Sequence, residues 1–210
     1  AEMTRMQDEV ITGIANLIES RDGSTGLHVK NTQNYVQILT KALREKGMYP
    51  DILDHNYELN TVKASVLHDI GKIKTPDAIL LKPGRLTDEE FEVMKQHTVA
   101  GCEIIDRIIG NVEHEEYVDI ARKIARYHHE RWDGTGYPDG LSGEEIPLCA
   151  RIMALADVFD ALYQDRCYKK AIRPASKVFE IIKENSGSQF DPNLTEIFLE
   201  LQREITDISE

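Results

Sequence analysis

The residues of this chain best suited to chemistry are two short runs of histidine and aspartate. His128 and His129 stand side by side, followed by Glu130 and a turn-forming stretch that includes Gly134, Gly136, Tyr137 and Pro138. His68 and Asp69 form a second pair, with Gly71 and Lys72 behind them. Adjacent histidines are costly to keep in a core, because each imidazole needs a hydrogen-bond partner; as metal ligands both rings have a use. Of the seven histidines, His28, His68, His97, His128 and His129 lie in motif-like settings, while His55 and His114 sit among polar residues and read as exposed. A structural role suits His28 or His97 taken alone, but it accounts poorly for the whole set. Asp69 and Asp157 are the natural carboxylate partners. Asp157 interrupts the apolar run Ala154-Leu155-Ala156-Asp157-Val158-Phe159, where a buried carboxylate needs a compensating charge that a metal would supply.

Imidazole and carboxylate without thiolate favour iron, manganese, nickel or zinc over a soft-metal site. Neighbouring residues on a helix point about 100° apart, so His68 can face one metal while Asp69 reaches between two. Two metals roughly 3.5–4 Å apart can hold a bridging hydroxide and clamp a phosphate, and a nearby lysine would stabilise charge on the phosphate oxygens. Two basic islands fit a small anionic ligand: Lys72, Lys74, Lys82 and Arg85 in one segment, Arg166, Lys169, Lys170 and Arg173 in another. The net charge of −12 argues against a binder of nucleic-acid polymers, which normally presents a basic excess.

The elements that must position these residues read as helix after helix. Met3, Met6, Val10, Ile14, Leu17 and Ile18 recur at helical spacing, as do Tyr35, Val36, Leu39, Ala42 and Leu43. A third helix is expected over 59–70, stopped at Gly71. Thr87 and Glu90 form a capping box for a helix carrying Phe91, Met94, His97, Gly101, Ile104, Ile105 and Ile108. Residues 115–130 predict a helix that delivers His128 and His129 at its end, 131–147 a structured loop, and 146–163 the helix of Asp157. Pro174 and the pair Asp191-Pro192 mark two further helix starts. No β alternation appears, so the expected fold is all-α, a single globular domain over 21–210 preceded by an N-terminal helix over 1–20. That helix carries a stripe like that of a signalling coiled coil, which suits either a homodimer or packing on the domain. With 210 residues the chain can bury a sizeable core. It has no run of roughly 20 apolar residues for a membrane span and no secretory pattern at its start. Cys102, Cys149 and Cys167 form no Cys-x-x-Cys pair and read as reduced thiols, consistent with the cytoplasm.

Taken together, these motifs resemble the HD-GYP domain, a branch of the HD phosphohydrolases. The resemblance rests on His68-Asp69-Ile70-Gly71-Lys72 and on His128-His129-Glu130 followed by Gly136-Tyr137-Pro138. It extends to Leu81–Thr87, to Met94-Lys95-Gln96-His97, to the run from Ala150 to Leu162, to Asp165-Arg166 with Tyr168-Lys169, and to Phe190-Asp191-Pro192. It covers the chain from about residue 20 to residue 195 and implies an all-helical fold and cyclic di-GMP phosphodiesterase activity. Carried over by position, His28, His68, Asp69 and Asp157 would hold one metal, and Asp69, His97, His128 and His129 the second, with Asp69 bridging. The cofactors implied are two divalent metal ions, iron or manganese ahead of nickel or zinc. Lys72 would contact the scissile phosphate, and Arg166 and Lys169 would grip the substrate's phosphates or a guanine. The Gly136-Tyr137-Pro138 loop is implicated in contacts with a diguanylate cyclase domain; a rigid turn is the plainer reading of it.

Two positions depart from the family pattern. Ser24 stands where some members place a glutamate that aids a third metal, so a binuclear site is expected, with linear pGpG as the main product rather than onward conversion to GMP. Cys167 stands where proline is common between the arginine and the tyrosine; the change removes no charge. Two alternatives sit behind the cyclic di-GMP reading: a phosphohydrolase of another nucleotide, such as a hybrid cyclic dinucleotide, and a non-catalytic binding or signalling module.

Overall fold

The computed structural model describes residues 2–22, 27–110, 115–164 and 171–208. Its chain order is α1 (Glu2–Glu19), α2 (His28–Glu45), α3 (His55–Ala64), α4 (Asp77–Leu80), α5 (Asp88–Ile109), α6 (Glu115–Tyr127), α7 (Leu148–Tyr163), α8 (Ala175–Glu184), α9 (Pro192–Glu200) and α10 (Gln202–Asp207). Among the described residues there is no β-strand, only an isolated bridge between Ser186 and Phe190. The fold is all-α, and none of the described helices is long and apolar enough to cross a membrane.

The pattern of apolar residues explains which helix takes the centre. Every residue of α7 from Leu148 to Ala156 is buried, as expected of a helix that is apolar on all sides. Around it pack α2, α6, α8 and α9. Tyr35 and Leu39 from α2, Ile124 from α6, Phe159 from α7 and Phe198 from α9 are fully buried. The ring of Phe159 meets those of Tyr35, Phe179 and Phe198 with centroids 5.1, 4.9 and 5.7 Å away. Arg151 is buried in α7 because Asp191 accepts from its Nη1 at 2.6 Å. Asp191 also caps α9, accepting from the Asn193 and Leu194 amides, with Pro192 as the first helical residue. Start signals read from sequence are present here and at α5, where Thr87 and Glu90 form both halves of the capping box.

α1 packs on α2 and on two 3-10 turns, Ser65–Leu67 and Ile70–Lys74, with Ala15 and Ile18 in the core and Val10 and Leu17 exposed. The 59–70 helix expected from sequence differs in the structure. α3 ends at Ala64, and the two 3-10 turns follow with His68 and Asp69 between them. Close packing accounts for this tight path. A Cβ on Gly71 would lie 1.8 Å from the carbonyl oxygen of His97 and 2.5 Å from the Gly101 amide, so the turn lies directly against α5. α6 likewise stops at Tyr127, which leaves His128 and His129 in a turn rather than in the helix's last residues. Pro174 takes the cap position of α8, one residue before the helix proper.

Candidate metal centre

Five histidines and two aspartates, drawn from separate segments, converge on one place. α2 supplies His28 as its first residue, the gap between the 3-10 turns supplies His68 and Asp69, and α5 supplies His97. The turn after α6 supplies His128 and His129, and α7 supplies Asp157. Asp69, His97, His128 and His129 each place one donor atom within 4.8 Å of the others, and Glu19, His28, His68 and Asp69 do the same.

Asp69 joins the two groups through opposite oxygens. Its Oδ2 lies 3.3 Å from His68 Nε2, whereas its Oδ1 lies 3.3 Å from His97 Nε2 and 3.6 Å from His128 Nε2. His28 Nε2 lies 3.4 Å from Asp157 Oδ1. The Nε2 atoms of His28, His68, His97 and His128 and the Oδ1 of Asp69 are buried without a hydrogen-bond partner. Buried polar atoms are normally satisfied, so five orphans facing one another require an occupant. Imidazole nitrogens and carboxylate oxygens are a donor set that fits a divalent metal.

The far side of each ring explains why Nε2 points inward. His68 Nδ1 lies 2.9 Å from the Ser65 carbonyl oxygen, His97 Nδ1 2.7 Å from that of Met94, and His128 Nδ1 2.9 Å from that of Ile124. A carbonyl only accepts, so each Nδ1 carries a hydrogen, and when the ring is neutral its Nε2 offers a lone pair, for His68 once its Nε2 proton has left. For His28 the acceptor is Asp160 Oδ2 at 2.7 Å. Asp160 is 1% exposed and also accepts from Asn31 Nδ2 at 3.1 Å and Tyr35 Oη at 3.4 Å. Such outer partners fix the tautomer and orientation of a metal-binding histidine.

The electrostatics divide the centre into two halves. Burial would depress the His68 pKa, but the Asp69, Asp157 and Glu19 carboxylates outweigh it and push His68 up to about 9. Burial opposes ionisation of Asp69, yet Lys72 and His68 hold its carboxyl well below the usual range. Asp157 behaves alike, held down by His68 and His28 against burial. In the other half burial pushes His128 down, and burial followed by the charges of His128 and His97 pushes His129 well down. Those two rings are neutral at physiological pH.

Lys72 Nζ lies 2.7 Å from Asp69 Oδ2 and 3.3 Å from Glu19 Oε1, which places an ammonium at the edge of the donor cluster. Glu19, the last residue of α1 and 2% exposed, was not singled out by sequence. Asp160 and Asn31 were likewise missed as supports of His28. Both carried a usable signal: each stands three residues after a candidate ligand on the same helix, Asp157 and His28 respectively, and so shares its face. Arg166, Lys169, Cys167, Ser24 and His114 lie outside the described residues, while the side chain of His55 is 67% exposed, as read from sequence.

Glu130 anchors the loop that follows the histidine pair. It is buried, and its carboxylate accepts from the amides of Asp139 (2.8 Å), Gly140 (3.1 Å) and Leu141 (3.1 Å). Gly136 passes so close to this segment that a Cβ would lie 2.5 Å from Glu130 Cα. The Gly136-Tyr137-Pro138 turn is therefore folded back onto the segment that carries His128 and His129.

Comparison with known proteins agrees with this geometry. The HD domain family model matches residues 14–194. A Vibrio cholerae serotype O1 protein named cyclic di-GMP phosphodiesterase is 44% identical over 211 residues, which cover 99% of this chain and 42% of that protein. A second protein of that organism, named 3'3'-cGAMP-specific phosphodiesterase 2, is 36% identical over 199 residues, 95% of this chain and 35% of that protein. The chain thus spans less than half the length of these relatives. The solved structure of Bd1817, described as an HDG"Y"P protein from Bdellovibrio bacteriovorus, superposes with a TM-score of 0.61 at 17% identity, covering 95% of this chain and 63% of that one, a likeness of fold. The chain belongs to the HD domain family and, within it, to the HD-GYP branch whose His-Asp and Gly-Tyr-Pro motifs it carries.

Proposed function

We propose that this domain is a metal-dependent phosphodiesterase that hydrolyses cyclic di-GMP to linear pGpG. The observation that carries the reading is the division of Asp69, one oxygen toward His68 and the other toward His97 and His128, among four buried Nε2 atoms with no partner. The activity named for the 44% identical Vibrio cholerae relative supplies the substrate.

In this reading His28, His68, Asp69 and Asp157 hold one divalent ion and Asp69, His97, His128 and His129 a second; the donor set suits iron, manganese, nickel or zinc, and the family resemblance puts iron or manganese first. Such ions supply a water-derived nucleophile at neutral pH and positive charge beside the phosphate oxygens. The chain's own residues do the rest. Asp69 keeps the two halves in register. The Nδ1 hydrogen bonds of His28, His68, His97 and His128 hold those rings so that no reorganisation is needed when the ligand enters. Lys72, held by Asp69 and Glu19, offers a donor to the scissile phosphate, and Arg166 and Lys169 grip the rest of the dinucleotide. Ser24, which stands where some members of the family place a glutamate that aids a third metal, supports two metals rather than three and pGpG rather than GMP as the main product.

A second substrate has specific support. The relative named for 3'3'-cGAMP is 36% identical over nearly the whole chain, so the same centre suits a hybrid cyclic dinucleotide. A diguanylate cyclase domain is the proposed partner of the loop at Gly136-Tyr137-Pro138, where Asp139 and Gly140 are exposed. The exposure of Val10 and Leu17 on α1 supports a homodimer through that helix.

The test is anaerobic turnover of cyclic di-GMP and 3'3'-cGAMP by iron- or manganese-loaded protein, with products separated by chromatography and a His68→Ala, Asp69→Ala variant as control. Conversion of cyclic di-GMP to pGpG that the control lacks is the expected result. Full metal loading with no turnover of either dinucleotide refutes the proposal.

A further inference from the structure

One of the five clustered histidines is held differently from the others. His28, His68, His97 and His128 each have Nδ1 tied to a carboxylate or a backbone carbonyl. Among the described residues no hydrogen bond fixes the ring of His129. Three rings lie against it: His128 at 4.0 Å and His97 at 5.1 Å from within the donor cluster, and from outside it Tyr137, with centroids 4.9 Å apart and planes tilted by 31°. Tyr137 is in turn held from behind. Phe91 meets it edge-on at 5.9 Å and 84°, and Lys95 Nζ sits 5.7 Å from the Tyr137 centroid and 5.3 Å from that of Phe91. Phe91 and Lys95 are one turn apart on α5, the helix that carries His97. The backbone closes the arrangement, since the Tyr137 amide donates to the His129 carbonyl at 3.2 Å.

We infer that Tyr137 is a positioning residue of the metal centre, whose ring sets the orientation of the His129 ring in place of a hydrogen bond. A stacked aromatic face restricts rotation of an imidazole about its Cβ–Cγ bond as a fixed acceptor would. The Glu130 anchor and the close approach of Gly136 to Glu130 explain how the turn is held rigidly enough to do this. The Gly-Tyr-Pro turn thereby serves the metal centre of its own chain, while Asp139 and Gly140 just beyond it are exposed. The inference rests on the reading of the cluster as a metal centre.

Metal binding, which needs no substrate, tests it. Manganese-loaded wild type and Tyr137→Ala, Tyr137→Phe and Tyr137→Leu would be compared by chelator competition and by anomalous scattering from crystals, with circular dichroism to verify folding. Loss of an outer partner weakens a metal by about 10- to 100-fold, and that loss is expected for Tyr137→Ala at the site of His97, His128 and His129. The peak beside His28 and His68 should persist. Tyr137→Phe keeps the ring and should match wild type, while Tyr137→Leu keeps bulk without an aromatic face and should fall with alanine. Wild-type affinity in Tyr137→Ala overturns the inference. So does a Tyr137→Phe variant that loses metal as alanine does, or a leucine variant that behaves as phenylalanine does. Wild-type protein that binds no metal refutes the metal centre itself, whereas bound metal without turnover of cyclic di-GMP refutes only the proposed substrate.

Discussion

Asp160→Asn is an isosteric change that should weaken metal binding without touching a proposed ligand. Asp160 accepts from three donors: His28 Nδ1 at 2.7 Å, Asn31 Nδ2 at 3.1 Å and Tyr35 Oη at 3.4 Å. An amide has one accepting end. If its oxygen keeps Asn31 and Tyr35, its NH2 faces His28, whose Nδ1 must then accept. The hydrogen moves to Nε2, the atom that lies 3.4 Å from Asp157 and faces the cluster, and the lone pair needed by a metal is gone. If the amide flips, its NH2 faces the Asn31 donor instead. The flipped arrangement costs the metal-free protein about 1–3 kcal/mol, the penalty of one buried donor left unmatched, whereas the first satisfies every donor by moving the tautomer. The tautomer change costs metal affinity about 10- to 100-fold, equivalent to roughly 1.4–2.7 kcal/mol. Urea unfolding with and without manganese separates the two effects, because the stabilisation that metal adds falls with its affinity. Chelator competition then measures the affinity directly. Wild-type manganese affinity together with wild-type metal-free stability in a folded Asp160→Asn protein matches neither arrangement and would refute the argument, and with it the claim that His28 binds through an Nε2 held ready by Asp160.

Three further outcomes follow from the same geometry. His68, pushed up to about 9 from 6.5 chiefly by Asp69 against the opposing effect of burial, is protonated at neutral pH in the metal-free protein. Metal binding at pH 7.5 should therefore release its proton, visible as buffer-dependent heat in titration calorimetry, and His68→Ala should lose that release. Because the folded pKa is raised, its contribution to metal-free stability is complete below pH 6.5 and is lost as pH rises through about 9; a urea midpoint that rises across this window relative to His68→Ala would contradict the assignment. Gly71→Ala places a Cβ 1.8 Å from the His97 carbonyl oxygen, against backbone that cannot step aside, and should cost about 3 kcal/mol or more in urea unfolding. Glu19→Gln removes a carboxylate beside Lys72 and should lower turnover about tenfold or more, from a charge-assisted contact worth roughly 1.5–3 kcal/mol. Elemental analysis should still find two metals per chain, and a drop to fewer would make Glu19 a ligand instead.

Legibility from sequence varied with how local each signal was. The capping box at Thr87 and Glu90 and the Asp191-Pro192 start involve residues within a turn of one another, and both are present as read. The pairs His68-Asp69 and His128-His129 stood out because adjacency of such residues is costly without a use. His28 and His97 were candidates through the set of histidines and the family resemblance, since each taken alone suits a structural role, whereas Asp157 stood out as a carboxylate inside an apolar run. The helix expected over 59–70 breaks into 3-10 turns because Gly71 must lie on α5 at His97 and Gly101, a contact between residues far apart in the chain.

The amino-acid sequence by itself determined the helical class, the helix starts marked by Thr87 with Glu90 and by Asp191 with Pro192, and an inventory of imidazole and carboxylate groups suited to divalent metals. Those properties depend on residue type and short-range spacing, which the chain carries locally. Only the tertiary structure decided that Asp69 turns one oxygen to each half of the cluster, that Glu19 arrives from α1 to share Lys72, that Asp160 holds His28, and that Tyr137 lies on His129. Each of these joins segments tens of residues apart or fixes the direction of a side chain. Both follow from how the apolar faces of α1, α2, α5, α6 and α7 close on one another, and no periodicity along the chain records that.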